Sequence, residues 1–167
     1  MAKQHYLRFL IRDQSEDLIF EVREKDSDRL AVNLENLADA GAQSPFFWFD
    51  TVDGRSVVIN LSDVQGARML WDMSSASSDL VRYEGEIEIR LRDREEVLSE
   101  YTELPVQLFD LFTKLEDGPD PLSFGSFLDL DGEPLYLSLN DIVWIIAPAH
   151  LLAEGRSLAL GESEPDI

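Results

Sequence analysis

One stretch of this chain is written twice. Shifted by 78 residues, residues 49–64 fall without a gap on residues 127–142, with identities at Phe49/Phe127, Asp53/Asp131, Gly54/Gly132, Leu61/Leu139 and Asp63/Asp141. A repeat of this period makes each copy one supersecondary unit, so the fold is expected to be two such units rather than one continuous pattern. The shared positions have scaffold roles. Asp-Gly predicts a two-residue hairpin turn at Asp53-Gly54 and again at Asp131-Gly132. Leu61 and Leu139 sit on the apolar side of the return strand. Asp63 and Asp141 are expected to hold the next turn by side-chain-to-backbone hydrogen bonds.

The flanking sequence extends the pattern. Leu7, Phe9 and Ile11 alternate with polar neighbours, and Leu18 to Val22 follows after turn residues, which predicts a hairpin. Asp26 and Ser27 are helix-capping types, and Leu30, Leu34 and Leu37 follow at helical spacing up to a stop at Gly41. Phe46-Phe47-Trp48-Phe49 predicts a strand buried on both faces. Ser56 to Leu61 and Val64 to Leu70 complete five strands and one helix. After Ser74, Ser75, Ser77 and Ser78 the plan restarts: Ile87, Ile89 and Leu91 alternate, Val97 to Tyr101 pairs with them, and Pro105 opens a helix that Gly118 ends. Leu108, Phe112 and Leu115 occupy the positions of Leu30, Leu34 and Leu37. Phe124 to Leu130, Leu135 to Leu139 and Ile142 to Ile146 are the last strands, and His150 to Glu154 adds one helical turn. The expected fold is α+β, a tandem duplication of an antiparallel ββαβββ unit with both copies in one compact body. The first copy spans 1–73, a linker 74–79, the second copy 80–154, and an acidic, flexible tail 155–167.

Where the copies differ, bulk changes places. Phe47 and Trp48 of the first copy stand where the second has Gly125 and Ser126, whereas Gly66 and Ala67 stand where the second has Trp144 and Ile145. Close packing sets large groups against small ones. Phe47, Trp48, Trp144 and Ile145 are therefore expected at an interface, either between the copies or with a partner.

Composition narrows function mainly by exclusion. The formal net charge of -20 opposes binding to nucleic acid or to anionic membrane surfaces, since both depend on neutralising phosphates. With no cysteine, there are no disulfides, iron–sulfur clusters, thiolate metal sites or thiol catalysis. No apolar run approaches a membrane span, and Met1 to His5 lead straight into an alternating segment without signal-peptide character, so a cytoplasmic protein is expected. The two histidines, His5 and His150, lack a ligand pattern, and no nucleophile, phosphate-loop or dinucleotide motif occurs. Asp129, Asp131 and Glu133 place oxygens at alternating positions, but too few for a calcium loop. Arg90, Arg92 and Arg94 among glutamates predict a mixed-charge strand face.

No catalytic, cofactor or metal residue emerges and no cofactor is expected. The leading expectation is a non-enzymatic protein-interaction or assembly module with a protein partner or self-association. The alternative is a small-molecule binder with a pocket between the copies. A carboxylate-based hydrolase ranks last, because chance pairs are common among 34 acidic residues.

Overall fold

The computed structural model describes residues 4–37, 44–72 and 85–161. The expected linker at 74–79 and the stop at Gly41 lie outside these residues. The protein is α+β, with three helices and antiparallel sheets among the described residues. In chain order the elements are β1 (Gln4–Ile11), β2 (Leu18–Val22), α1 (Glu24–Asn36), β3 (Phe46–Asp50), β4 (Arg55–Asn60), β5 (Val64–Asp72), β6 (Ile87–Leu91), β7 (Val97–Glu100), α2 (Pro105–Asp117), β8 (Phe124–Leu128), β9 (Pro134–Ser138), β10 (Ile142–Pro148) and α3 (Ala149–Ala159). Short 3-10 turns at Leu61–Asp63 and Leu139–Asp141 precede β5 and β10.

Three sheets form. The largest has the order β3-β4-β10-β6-β7, the second β2-β1-β5, and β8-β9 stands as a hairpin of its own. The five-stranded sheet is the middle layer. On one side, Phe47, Phe49, Val57, Ile59, Trp144 and Ile146 pack with Leu7, Phe9 and Phe20 of the three-stranded sheet and Leu30 of α1. On the other, Phe46, Val58, Ile87, Ile89 and Ile145 pack with Leu108, Leu111, Phe112 and Leu115 of α2, Leu152 of α3, and Phe127 and Leu137 of the hairpin. Strand β10 lies in the middle of this sheet and is buried along its whole length, as a run of seven apolar residues requires. Each such large side chain contributes about 1.5–3 kcal/mol through burial.

Local chemistry sets the element ends. Pro105 opens α2, where its missing N–H costs no bond, and Gly118 closes it at φ +101°, a conformation that favours glycine. Helix α1 begins at Glu24, before the residues the sequence marked as caps. Asp26 and Ser27 therefore lie in its first turn, where the Asp26 carboxylate complements the helix dipole and accepts from Arg29. The Asp-Gly hairpins are also not two-residue turns. Only Gly54 (φ +90°) and Gly132 (φ +78°) take positive φ. Thr51 N–H donates to Arg55 and Gly54 N–H to Thr51, and the same pair of bonds recurs from Asp129 to Glu133 and from Gly132 to Asp129. These are three-residue loops with glycine at the left-handed position, in which the aspartate needs no special conformation.

Helix α3 runs to Ala159, well beyond the single turn read from the sequence at His150 to Glu154. Its extension depends on a close approach to α2. Gly155 is buried, and a Cβ there would lie 2.2 Å from the Pro105 carbonyl oxygen and 2.8 Å from Phe109 Cβ. Backbone cannot yield as a flexible side chain does. Gly155→Ala is therefore expected to lower the unfolding free energy by about 1–3 kcal/mol, despite alanine's better helix propensity, as a shift of the urea midpoint.

Candidate interaction surfaces

Of the four residues expected at an interface, Trp48, Trp144 and Ile145 meet residues of the other half, and Phe47 lies in a buried cluster drawn from both halves. Phe47 is buried against the Arg29 guanidinium, 4.8 Å from its ring centre. Trp48, on the opposite face of β3, meets Phe109 and Phe112 of α2 edge-on, with ring centres 6.0 and 5.2 Å away. Ile145 is fully buried in the cluster that contains α2. Trp144 lies in the other cluster, among residues of β1, β2 and β4. Its indole N–H donates to Gln14 Oε1 at 3.1 Å, across the two halves.

Polar residues, expected from the sequence in turns or on a solvated strand face, complete this seam. Arg90 is buried and donates to Gln14 Oε1 at 2.6 Å, to the Asp13 carbonyl at 2.9 Å and to the Arg94 carbonyl at 3.1 Å. Arg92 donates twice to the buried Asp63 carboxylate, at 2.9 and 3.1 Å, and once to the Asn140 carbonyl. The Asp63 bond raises the Arg92 pKa above its ordinary value, against the opposing effect of burial, so this cation persists throughout the working pH range. The arginines thus do not form the mixed-charge strand face expected from their spacing: Arg90 points into the seam, and Arg92 lies past the strand end in a turn. Asp63 holds a partner across the seam rather than its own turn. That turn is held instead by Asn60 Oδ1, which accepts from Ser62 N–H at 2.9 Å. Asp141, the counterpart of Asp63, remains exposed, 4.0 Å from Arg92.

A cleft of about 810 Å³ opens beside the seam, lined by Asp13, Gln14, Glu16, Asp17, Arg90, Glu95 and Trp144. Both halves contribute to its wall. Its charged lining is mainly carboxylate, while the Arg90 donors are already engaged by protein oxygens.

Six strands lie at sheet edges among the described residues, β2, β3, β5, β7, β8 and β9, and two of these edges matter here. Among the described residues, β5 pairs only with β1 and β9 only with β8. Large apolar side chains are exposed on these elements and on α1: Met69 (40%) on β5, Phe124 (59%) and Tyr136 (66%) on the β8-β9 hairpin, and Leu34 (36%) on α1. Phe124 pairs with Ser138 and Ser126 with Tyr136, so strand alternation puts both aromatics on one face of the hairpin. The opposite face, with Gly125, Phe127 and Leu137, is buried against the core. At Gly125 a Cβ would lie 2.6 Å from Leu111 Cδ1, so the bulk found at Phe47 has no room here.

The remaining candidates are weaker. Asp129, Asp131 and Glu133 bring their carboxylates within 4.8 Å of one another, but Asp129 Oδ1 already accepts the N–H groups of Asp131 and Glu133, as the hairpin loop requires. His5 lies in β1 opposite Val22 and Trp71, and His150 in the first turn of α3; neither joins a three-ligand group among the described residues. No described helix is long and apolar enough to cross a membrane. No protein family, curated protein or solved structure shows a significant match to this chain.

Proposed function

We propose that this chain is a non-enzymatic assembly or protein-interaction module built from two tandem copies of a ββαβββ unit. The observation that carries this reading is the coincidence of open strand edges with exposed apolar side chains on β5, α1 and the β8-β9 hairpin. An unpaired edge offers a row of hydrogen-bonding groups, and a protein that leaves one uncovered beside aromatics invites strand addition.

Matched geometry supports the duplication. In the first half β1 lies between β2 and β5; in the second β6 lies between β7 and β10. Phe9 pairs with Ala67 and Leu10 with Gly66, as Ile89 pairs with Ile145 and Arg90 with Trp144. Both pairings shift register at the same place, beside Ile11 and beside Ile142. Asp13 and Asp93 share a positive φ in the turns that follow β1 and β6, and Arg12 N–H donates to the Asp63 carbonyl as Arg92 N–H does to that of Asp141.

The interaction reading is tested in an extract of cells expressing the chain. The native protein is expected to sediment well above its 19.0 kDa monomer mass, and a Phe124→Ser/Tyr136→Ser double variant at the monomer position. Sedimentation of both forms as monomers would count against any assembly role.

A second reading, a small-molecule binder, is favoured by the cleft between the halves. Its carboxylate-rich wall suits a cationic ligand. Calorimetric titration with small polyamines should then give binding that Glu95→Gln weakens; no heat from any of them would remove this reading.

A further inference from the structure

We infer that the partner is a second copy of this chain, whose β8-β9 hairpin adds to the open edge of β5. The inference rests on the assembly reading above and makes it specific, because the chain already contains the template for such a junction. Within one chain the hairpin of the first half, β3-β4, adds to the last strand of the second half, β10, with Ile59 opposite Trp144, Val58 opposite Ile145 and Ser56 opposite Ala147. The corresponding hairpin of the second half is β8-β9, and the corresponding acceptor strand is β5. Neither finds the other within the chain: among the described residues the outer edges of both are unpaired.

The exposed side chains are those that the template junction buries. At the 78-residue offset Phe124 stands for Phe46, Tyr136 for Val58, Leu34 for Phe112 and Met69 for Ala147. Phe46, Val58, Phe112 and Ala147 are buried together in one cluster, where β3 and β4 lie over α2 and against β10. Their four counterparts are exposed, two on the donor hairpin and two on the acceptor strand and helix. Volumes match as well. Tyr136 of one copy would face Ala67 of the other, where the template sets Val58 against Ile145: the larger residue on one strand meets the smaller on the other.

The backbone allows the pairing. Bonds such as Asp129 N–H to the Glu133 carbonyl direct residues 133, 135 and 137 toward β8, which leaves Pro134, Tyr136 and Ser138 facing outward. Pro134 supplies a carbonyl but no N–H, so the new ladder is one bond shorter than the template, and that loss falls at its end. The predicted register sets Tyr136 opposite Ala67, Leu135 opposite Arg68 and Pro134 opposite Met69 of the second copy. The outward residues of β9 carry no charge, so the net charge of -20 opposes association only at long range. Raising salt shortens that range from about 10 Å at 0.1 M to about 3 Å at 1 M and should strengthen the contact. Because donor and acceptor are different surfaces, the contact is head-to-tail and builds a ring where the rotation between chains closes and an open filament where it does not.

Light scattering on the purified full chain at micromolar concentration is expected to give a whole multiple, two or more, of the 19.0 kDa chain. Tyr136→Glu and Met69→Glu, both at exposed positions, should each weaken association at least about tenfold and leave the circular dichroism unchanged. Register is read by disulfide formation, free of background because the chain has no cysteine. Arg68→Cys mixed with Leu135→Cys should give a covalent two-chain product, and neither variant alone should do so. A monomer at 1 M salt would overturn the inference while leaving the assembly reading to the extract experiment, which reports other partners too. Self-association that survives Tyr136→Glu, or yields no mixed disulfide, would overturn this contact in favour of another surface between copies.

Discussion

Replacing Trp144 with alanine is expected to lower the unfolding free energy by about 3–5 kcal/mol, the range for removing a large buried aromatic that its neighbours cannot replace. Trp144 sits in the central strand β10, between β4 and β6, and its ring fills the layer under the three-stranded sheet. Collapse around the vacancy is hindered because backbone ladders fix both flanking strands. Removal also takes away the indole donor to Gln14. Trp144→Phe separates these effects, keeping most of the bulk and losing the hydrogen bond, for about 1–2 kcal/mol. With total stabilities of about 5–15 kcal/mol, the alanine variant leaves the fold close to its limit at room temperature. Urea unfolding followed by circular dichroism measures both changes. A loss below about 1 kcal/mol for Trp144→Ala would mean that the seam is not tightly packed around this ring.

The element order was largely legible because the signals were local. Alternation at Leu7, Phe9 and Ile11, the aromatic run at Phe46 to Phe49, Pro105 at a helix start and Gly118 at a helix end each report on a few neighbouring residues. The pairing of β4 with β10 was not legible, because hydrophobic pattern does not say which strand of another unit will lie alongside. The length of α3 was missed for a related reason. Gly155 reads as a helix breaker in sequence, and only its contact with the Pro105 carbonyl explains why glycine continues the helix there.

The candidate surfaces were legible in one half of their chemistry. The bulk exchange between Phe47-Trp48 and Gly125-Ser126 marks Trp48, which meets Phe109 and Phe112 of the second half. The same comparison, carried to Val58 against Tyr136 and Phe112 against Leu34, could have marked the open edges. It was not decisive there, because an apolar residue at an apolar position gives no sign of exposure. Gln14, Arg90 and Asp63 were not legible as seam residues: a polar residue in a turn or on an alternating strand reads as solvated until a partner from the other half faces it.

Arg90 carries the largest expected effect among these polar residues. Its guanidinium is buried, and among the described residues no carboxylate lies within ion-pair distance; its hydrogen bonds go to Gln14 Oε1 and to two backbone carbonyls. Charged donors to neutral acceptors make strong bonds, and a buried acceptor stripped of its donor bears a desolvation cost. Arg90→Ala is therefore expected to lose about 2–4 kcal/mol, measured as a urea midpoint shift at constant slope. Arg90→Lys should recover less than half of that, since one ammonium cannot span three acceptors that a planar fork reaches together. The turn from Ile11 to Leu18, held across the seam through Asp13 and Gln14, should show faster amide exchange in Arg90→Ala, with β10 unchanged. Gln14 Oε1 accepts from both Arg90 and Trp144, so the two losses cannot be independent. Arg90→Ala combined with Trp144→Phe should depart from additivity by at least about 0.5 kcal/mol. Strict additivity would mean that Gln14 does not couple the halves and that the seam is held by apolar packing alone.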